Sequence, residues 1–210
     1  MPFGGNLRGV DLPYERPEDR PTAPAPLDRV QEFVNTRINF RETGDFRDEL
    51  SSPAALRDWM SAQGLLQPRA RVDADDLERA IVVREGLRAL LARHNDASEA
   101  DDGDALRALD EAATTLPLRV RTAKSDELAL RPVAQEGIEH ALATLLADTF
   151  TARSAGALAR LKTCRDPACR WVFYDSSKNR SGTWCAMGTC GAASKKRHFT
   201  ERRREKRRLG

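Results

Sequence analysis

The chain has 210 residues, 40% of them hydrophobic and 32% charged, which suits one medium domain plus a small appended module and excludes a wholly disordered chain. The formal net charge of +3 conceals a division: residues 160–210 hold 15 Lys/Arg against 4 Asp/Glu, and residues 1–159 hold 20 against 28. The longest clean apolar run, Ala141 to Ala147, falls far short of the ~20 residues a membrane span needs. No basic-then-apolar leader marks secretion, so a cytoplasmic protein without a membrane partner is expected.

Residues 1–26 read as a flexible leader, because Pro13, Pro17, Pro21, Pro24 and Pro26 deny a regular helix or central strand. Leu27, Val30, Phe33, Val34 and Ile38 then recur at helical spacing and predict an amphipathic helix ending before Gly44. Ser52 as N-cap and Pro53 as first helical residue announce a second helix, with Leu56, Trp59 and Met60, that stops at Gly64. A longer helix follows Asp73 on the stripe Leu77, Ile81, Leu87, Leu90 and Leu91, closing at Asn95. The acidic stretch 95–103 reads as an exposed loop, and Leu106, Leu109, Ala113 and Leu116 outline a fourth helix.

After Pro117 the period changes. Leu118, Val120 and Thr122 alternate with Arg119 and Arg121, residues 123–126 make a turn, and Leu128 and Leu130 alternate again, which predicts an antiparallel hairpin. A helix returns through Ile138, Leu142, Leu145, Leu146 and Phe150. The fold class is therefore mainly α with a small β-hairpin, divided as leader 1–26, helical body 27–159 and cysteine-bearing module 160–210.

All four cysteines lie in the basic part, spaced Cys164-x4-Cys169-x15-Cys185-x4-Cys190. Two pairs separated by about fifteen residues is the layout of a four-thiolate zinc site, in which two knuckles at the ends of a short hairpin each supply two ligands. Trp171 to Tyr174 reads as a strand of that hairpin, and Trp184 is placed to cover the metal. Two disulfides or four free thiols are the competing readings; a reducing compartment disfavours the first. A closed four-cysteine site has no open position for substrate, so one structural zinc ion is expected to replace the core that a ~30-residue module cannot build.

Residues 191–208 follow without a proline and are rich in Ala, Lys, Arg and Glu, which predicts a basic helix with Ala192, Ala193 and Phe199 toward the zinc hairpin. Lys195, Lys196, Arg197, Arg202, Arg203, Arg204 and Arg207 are the candidate nucleic-acid contacts, because cations so dense need an anion of regular spacing. A solvated basic tail without a target is the plainer reading.

The block Cys164-Arg-Asp-Pro-Ala-Cys169-Arg-Trp-Val-Phe-Tyr-Asp175, with Trp184-Cys-Ala-Met-Gly-Thr-Cys190-Gly191, resembles the bacterial CGNR zinc-finger family. The body resembles that family's usual partner, the helical ABATE domain, through Phe33-Val-Asn-Thr-Arg37, Leu50-Ser-Ser-Pro-Ala-Ala-Leu-Arg-Asp-Trp59 and Gly64-Leu-Leu66. One departure stands out: Cys190-Gly191 is followed by Ala192-Ala193 in place of Asn-Arg. The resemblance implies a zinc-dependent, DNA-binding transcription regulator whose body senses an effector or mediates association. A homodimer is compatible with that, and DNA would place the chain at the nucleoid.

The alternative partner is RNA or the ribosome, favoured if Trp171, Phe173 or Tyr174 offer exposed rings for stacking. No catalytic site is expected, since His94, His140 and His198 have no obvious nucleophile or acid beside them in sequence. Asn35 and Thr36 interrupt the apolar stripe of the first helix; they are read either as local hydrogen-bonding residues or as the lining of a small-molecule effector pocket.

Overall fold

The computed structural model describes residues 20–40, 43–122 and 128–208. Helix α1, Leu27–Val34, buries Leu27, Val30, Phe33 and Val34 on one side. It stops four residues earlier than the apolar spacing suggested. The Thr36 hydroxyl donates to the Phe33 carbonyl at 2.8 Å, and Ile38 is buried not on a helix but in strand β1, Arg37–Asn39. Its antiparallel partner is β2, Phe46–Asp48, in the register Arg37↔Asp48 and Asn39↔Phe46.

Helix α2, Pro53–Ala62, begins where its cap dictates, with Ser52 Oγ accepting from the Ala55 N–H at 3.1 Å. Helix α3, Ala74–Ala92, opens on a reciprocal box in which Asp73 accepts from the Asp76 N–H and Asp76 accepts from the Asp73 N–H. A short 3-10 turn, Arg93–Asn95, ends it, with Asp96 left-handed at φ 53°. Helix α4, Asp102–Ala113, lies so close to α3 that a Cβ on Gly86 would stand 2.4 Å from the Leu109 Cβ. The acidic stretch before α4 is only partly the exposed loop anticipated. Ala97 and Asp102 are buried, and the Asp102 carboxylate accepts from the Glu99 N–H and from Arg170.

Strands β3, Leu118–Thr122, and β4, Leu128–Pro132, pair as the alternation implied, Val120 opposite Leu130; the expected turn lies outside the described residues. Helix α5, Gly137–Ser154, buries Ile138, Ala141, Leu142 and Leu145, but Phe150 is 54% exposed and off the buried stripe. A six-residue passage then leads into strand β5, Leu161–Thr163, which pairs antiparallel with β6, Val172–Tyr174. After a single π-turn at Met187–Gly191, helix α6 runs from Ala192 to Arg208.

One apolar core joins these parts. Phe33, Leu56, Met60, Leu87, Leu91 and Leu142 from the helices pack with Leu161 of β5 and Val172 of β6. The cysteine-bearing region thus contributes two strands to the core of the body. The end of the proline-rich segment is also packed: Ala23 is buried and its N–H donates to Gln31 Oε1 at 2.8 Å. The rest of that segment lies outside the described residues. Among the described residues no helix is long and apolar enough to cross a membrane.

Candidate metal centre and its basic helix

Hairpin β5–β6 delivers the first cysteine pair. The Cys164 N–H donates to the Trp171 carbonyl at 2.8 Å, closing the strands. The Asp166 carbonyl accepts from the Cys169 and Arg170 N–H groups, folding the first knuckle, and Arg170 takes a left-handed φ of 52°. The second knuckle is the π-turn, in which the Gly191 N–H donates to the Ala186 carbonyl. Phe173, Ala186, Trp171 and Trp184 pack around the sulfurs, and Cys164, Cys185 and Cys190 are buried.

The four Sγ atoms all lie within 4.8 Å of one another. Cys169 to Cys185 and Cys185 to Cys190 are each 3.6 Å, far beyond a disulfide bond length of about 2.05 Å. Tetrahedral thiolates at about 2.3 Å from zinc stand about 3.8 Å apart, so the donor set and its spacing fit one zinc ion. The thiols are electrostatically divided: hydrogen bonds from Cys164, Cys169 and Cys185 pull Cys190 well down, while those with Cys164, Cys185 and Cys190 push Cys169 up. A dication at their centre neutralises that crowding.

A buried ion pair braces the hairpin from outside the metal. Lys162 Nζ donates to Asp175 Oδ2 at 2.9 Å and to the Arg180 and Gly182 carbonyls. Burial alone would raise the Asp175 carboxyl, but hydrogen bonds from Lys162 and the Ser177 and Gly182 N–H groups outweigh it and hold it well below the usual carboxylate range. Gly182 has no room for a side chain, since a Cβ there would stand 2.7 Å from the Asp175 carboxylate. Arg20 completes the set, 3.6 Å from Asp175 Oδ1 and 4.8 Å above the Phe173 ring.

Polar residues of the body hold this region in place. The Asn35 amide behaves as a strand neighbour of β6: Oδ1 accepts from the Val172 N–H and Nδ2 donates to the Val172 carbonyl, both at 2.8 Å. Gln31 reaches the same carbonyl at 3.3 Å, and Asn39 donates to the Cys169 carbonyl. Arg88, buried, donates to the Val34 and Arg170 carbonyls. Arg170 in turn pairs with Asp102 at 2.6 Å. His94 Nδ1 donates to the Leu161 carbonyl and Asn95 to that of Thr163. None of these contacts was anticipated from the sequence except the hydrogen-bonding reading of Asn35 and Thr36. Thr36 is buried, and Arg84 donates to its hydroxyl at 3.2 Å. Asn35 borders a recess of about 40 Å³ shared with Arg20, Gln31, Trp171 and Phe173, a space fit for about one or two waters.

Helix α6 leaves the metal centre two residues after Cys190 and packs chiefly against the π-turn. Ser194 is buried, whereas Lys195, Lys196, Arg197, Arg202, Arg203, Arg204 and Arg207 are all exposed. Arg197 is also tethered, its guanidinium 3.4 Å from the buried Asp166 carboxylate. The expectation that Ala192, Ala193 and Phe199 face the hairpin is corrected: Ala192 is exposed, Ala193 half-buried and Phe199 62% exposed. Ser194 takes the inward position instead. Ala192 and Ala193 line an open concavity of about 710 Å³ with Gly188, Thr189, Lys196, Arg197 and Arg204, so longer side chains at 192 and 193 would project into that space. The rings proposed for RNA stacking are engaged: Phe173 is fully buried, Tyr174 packs on the core and Trp171 on the cysteines. His140 Nδ1 donates to the Ala134 carbonyl, and the His198 side chain lies outside the described residues.

Comparison with known families accords with this geometry. A family model described as "CGNR zinc finger" matches residues 160–203, and ABATE, described as "Putative stress-induced transcription regulator", matches residues 27–164. The chain matches no curated protein. The ABATE match spans more than half of the chain and the zinc-finger match contains all four clustered cysteines, so the chain belongs to the ABATE family and carries a CGNR zinc finger holding one zinc ion.

Proposed function

We propose that this protein is a DNA-binding transcription regulator in which the zinc finger presents α6 to duplex DNA. The observation that carries the reading is the placement of seven exposed cations, Lys195 to Arg207, on one helix anchored directly to the metal centre. A 17-residue helix is about 25 Å long, and a rod of that length with cations on its free sides matches the spacing of phosphates along a groove. Engagement of Trp171, Phe173 and Tyr174 in packing favours DNA over RNA as the partner, since single-stranded RNA is held mainly by exposed rings. The zinc ion serves folding; no residue here is assigned a catalytic role. For Asn35 and Thr36 the docking of β6 on the body is the role we favour over effector binding, because their polar groups already bond Val172, Phe33 and Arg84.

Anisotropy titrations of the zinc-loaded protein against a duplex, the matched single-stranded RNA and heparin, over a salt series, test the proposal. The expected result is preferential duplex binding with a log–log salt slope of about −4.5 to −5.4, corresponding to about five or six phosphates. Equal affinity for all three polyanions would reduce α6 to a generic cationic tail.

A further inference from the structure

The burial of Ser194 fixes which side of α6 looks inward. At 100° per residue, Phe199, Arg203 and Lys196 lie about 140°, 180° and 200° around the helix from Ser194, so they form the edge turned away from the finger. Phe199 is 62% exposed there, the sole large apolar side chain on a helix whose other residues are Lys, Arg, Glu, Ala, Ser, Thr and His. Lys195 and Arg202 flank it on one side, Arg204 and Arg207 on the other. Arg197 is excluded from this edge by its tether to Asp166.

We propose, resting on the DNA-binding reading above, that Lys196, Phe199 and Arg203 form the edge of α6 that enters the major groove, and that Phe199 packs against thymine C5-methyl groups. A helix with its side chains is about 10–12 Å across and the major groove about 12 Å wide, so the fit is close. The two cationic flanks then face the two phosphate rails, and the leading edge meets base edges. Within the major groove the thymine methyl is the apolar feature a phenyl ring can recognise. The flanks are too charged and the apolar edge too narrow for a membrane surface, where a broad hydrophobic face is needed.

The probes are 20-base-pair duplexes of alternating dA–dT, of alternating dA–dU, which lacks only the methyls, and of alternating dG–dC. Alternation places a methyl on every second base of each strand, so the helix meets one in any register. Wild type should bind dA–dT about 3- to 10-fold more tightly than dA–dU. Phe199→Ala should bind the two alike, with zinc content and salt slope unchanged, and Phe199→Leu should recover part of the difference. Lys196→Ala and Arg203→Ala should each weaken binding to every duplex. Equal wild-type affinity for dA–dT and dA–dU, or an unchanged methyl preference in Phe199→Ala, would overturn this inference while leaving DNA binding intact. Absence of wild-type binding to any duplex at 50 mM salt would overturn the DNA reading itself. Stronger binding to phosphatidylserine vesicles than to any duplex, abolished by Phe199→Ala, would reassign this edge to a lipid surface.

Discussion

Glu85 shows how much of this structure hangs on single charged atoms. Its two carboxylate oxygens accept separately from Arg84 Nε at 2.8 Å and Arg88 Nε at 2.9 Å. Arg84 and Arg88 are both buried; the first clamps Asp48 of β2 through two bonds of 2.7 Å, the second reaches the Arg170 carbonyl in the first knuckle. Burial alone would raise the Glu85 carboxyl, but Arg88, Arg84 and Arg37 outweigh it and hold it below its usual value. Removing that charge takes from the buried Arg88 its carboxylate partner and leaves Arg84 with the Asp48 carboxylate alone, so Glu85→Gln should cost about 3 kcal/mol in denaturant unfolding. A depressed carboxyl stabilises the fold above its unfolded value and loses that contribution as pH falls toward its folded value. The gap between wild type and variant should therefore be widest near neutrality and narrow as pH drops below about 4.3. A gap independent of pH would show that Glu85 acts through packing alone. At this scale the sequence was only half legible. Asn35 and Thr36 were visible as polar interruptions of an apolar stripe, but Asn35 bonds a residue 137 positions away, and no local pattern encodes such a distance.

Elements with local causes were readable, and elements without them were not. The caps at Ser52 and Asp73 and the alternation of β3–β4 act within a few residues, and α2, α3 and that hairpin stand where those signals put them. Strands β1, β2 and β5 are three residues each, too short to display a period, and their partners are chosen by tertiary contacts. The four cysteines were legible because metal geometry constrains their spacing directly. Helix α6 combines good intrinsic propensity with little packing beyond Ser194 and strong self-repulsion among its cations. In the free protein its amides beyond Lys195 should exchange with deuterium far faster than those of the buried stretches of α3, from Ala80 to Ala92, and of α5, from Ile138 to Ala152. Protection equal to that of α3 would mean that α6 is held by contacts other than those described.

For the whole molecule the main consequence is cooperativity. Leu161 and Val172 belong to the same apolar core as Phe33, Leu87 and Leu142, and hydrogen bonds from Asn35, Arg88, His94 and Asn95 cross between body and finger. Zinc removal should therefore lower the melting temperature of the entire helical signal. Far-ultraviolet circular dichroism and tryptophan fluorescence, which reports Trp59 in the body as well as Trp171 and Trp184 beside the cysteines, should shift together on adding a chelator. A helical melting curve indifferent to chelation would show that the two parts fold independently.

The passage from α5 into β5 also has a bearing on how such a molecule measures distance. Only six residues separate Ser154 from Leu161, Leu158 among them is buried, and the passage is bracketed by Ala152 and Leu161 of the core. The zinc finger consequently has no long tether to the body on which to swing. Were two chains to associate through their bodies and to bind DNA as proposed, the separation and phase of the sites they contact would be set by that association surface, as by a rigid caliper, and lengthening those six residues would change which spacings the pair can span.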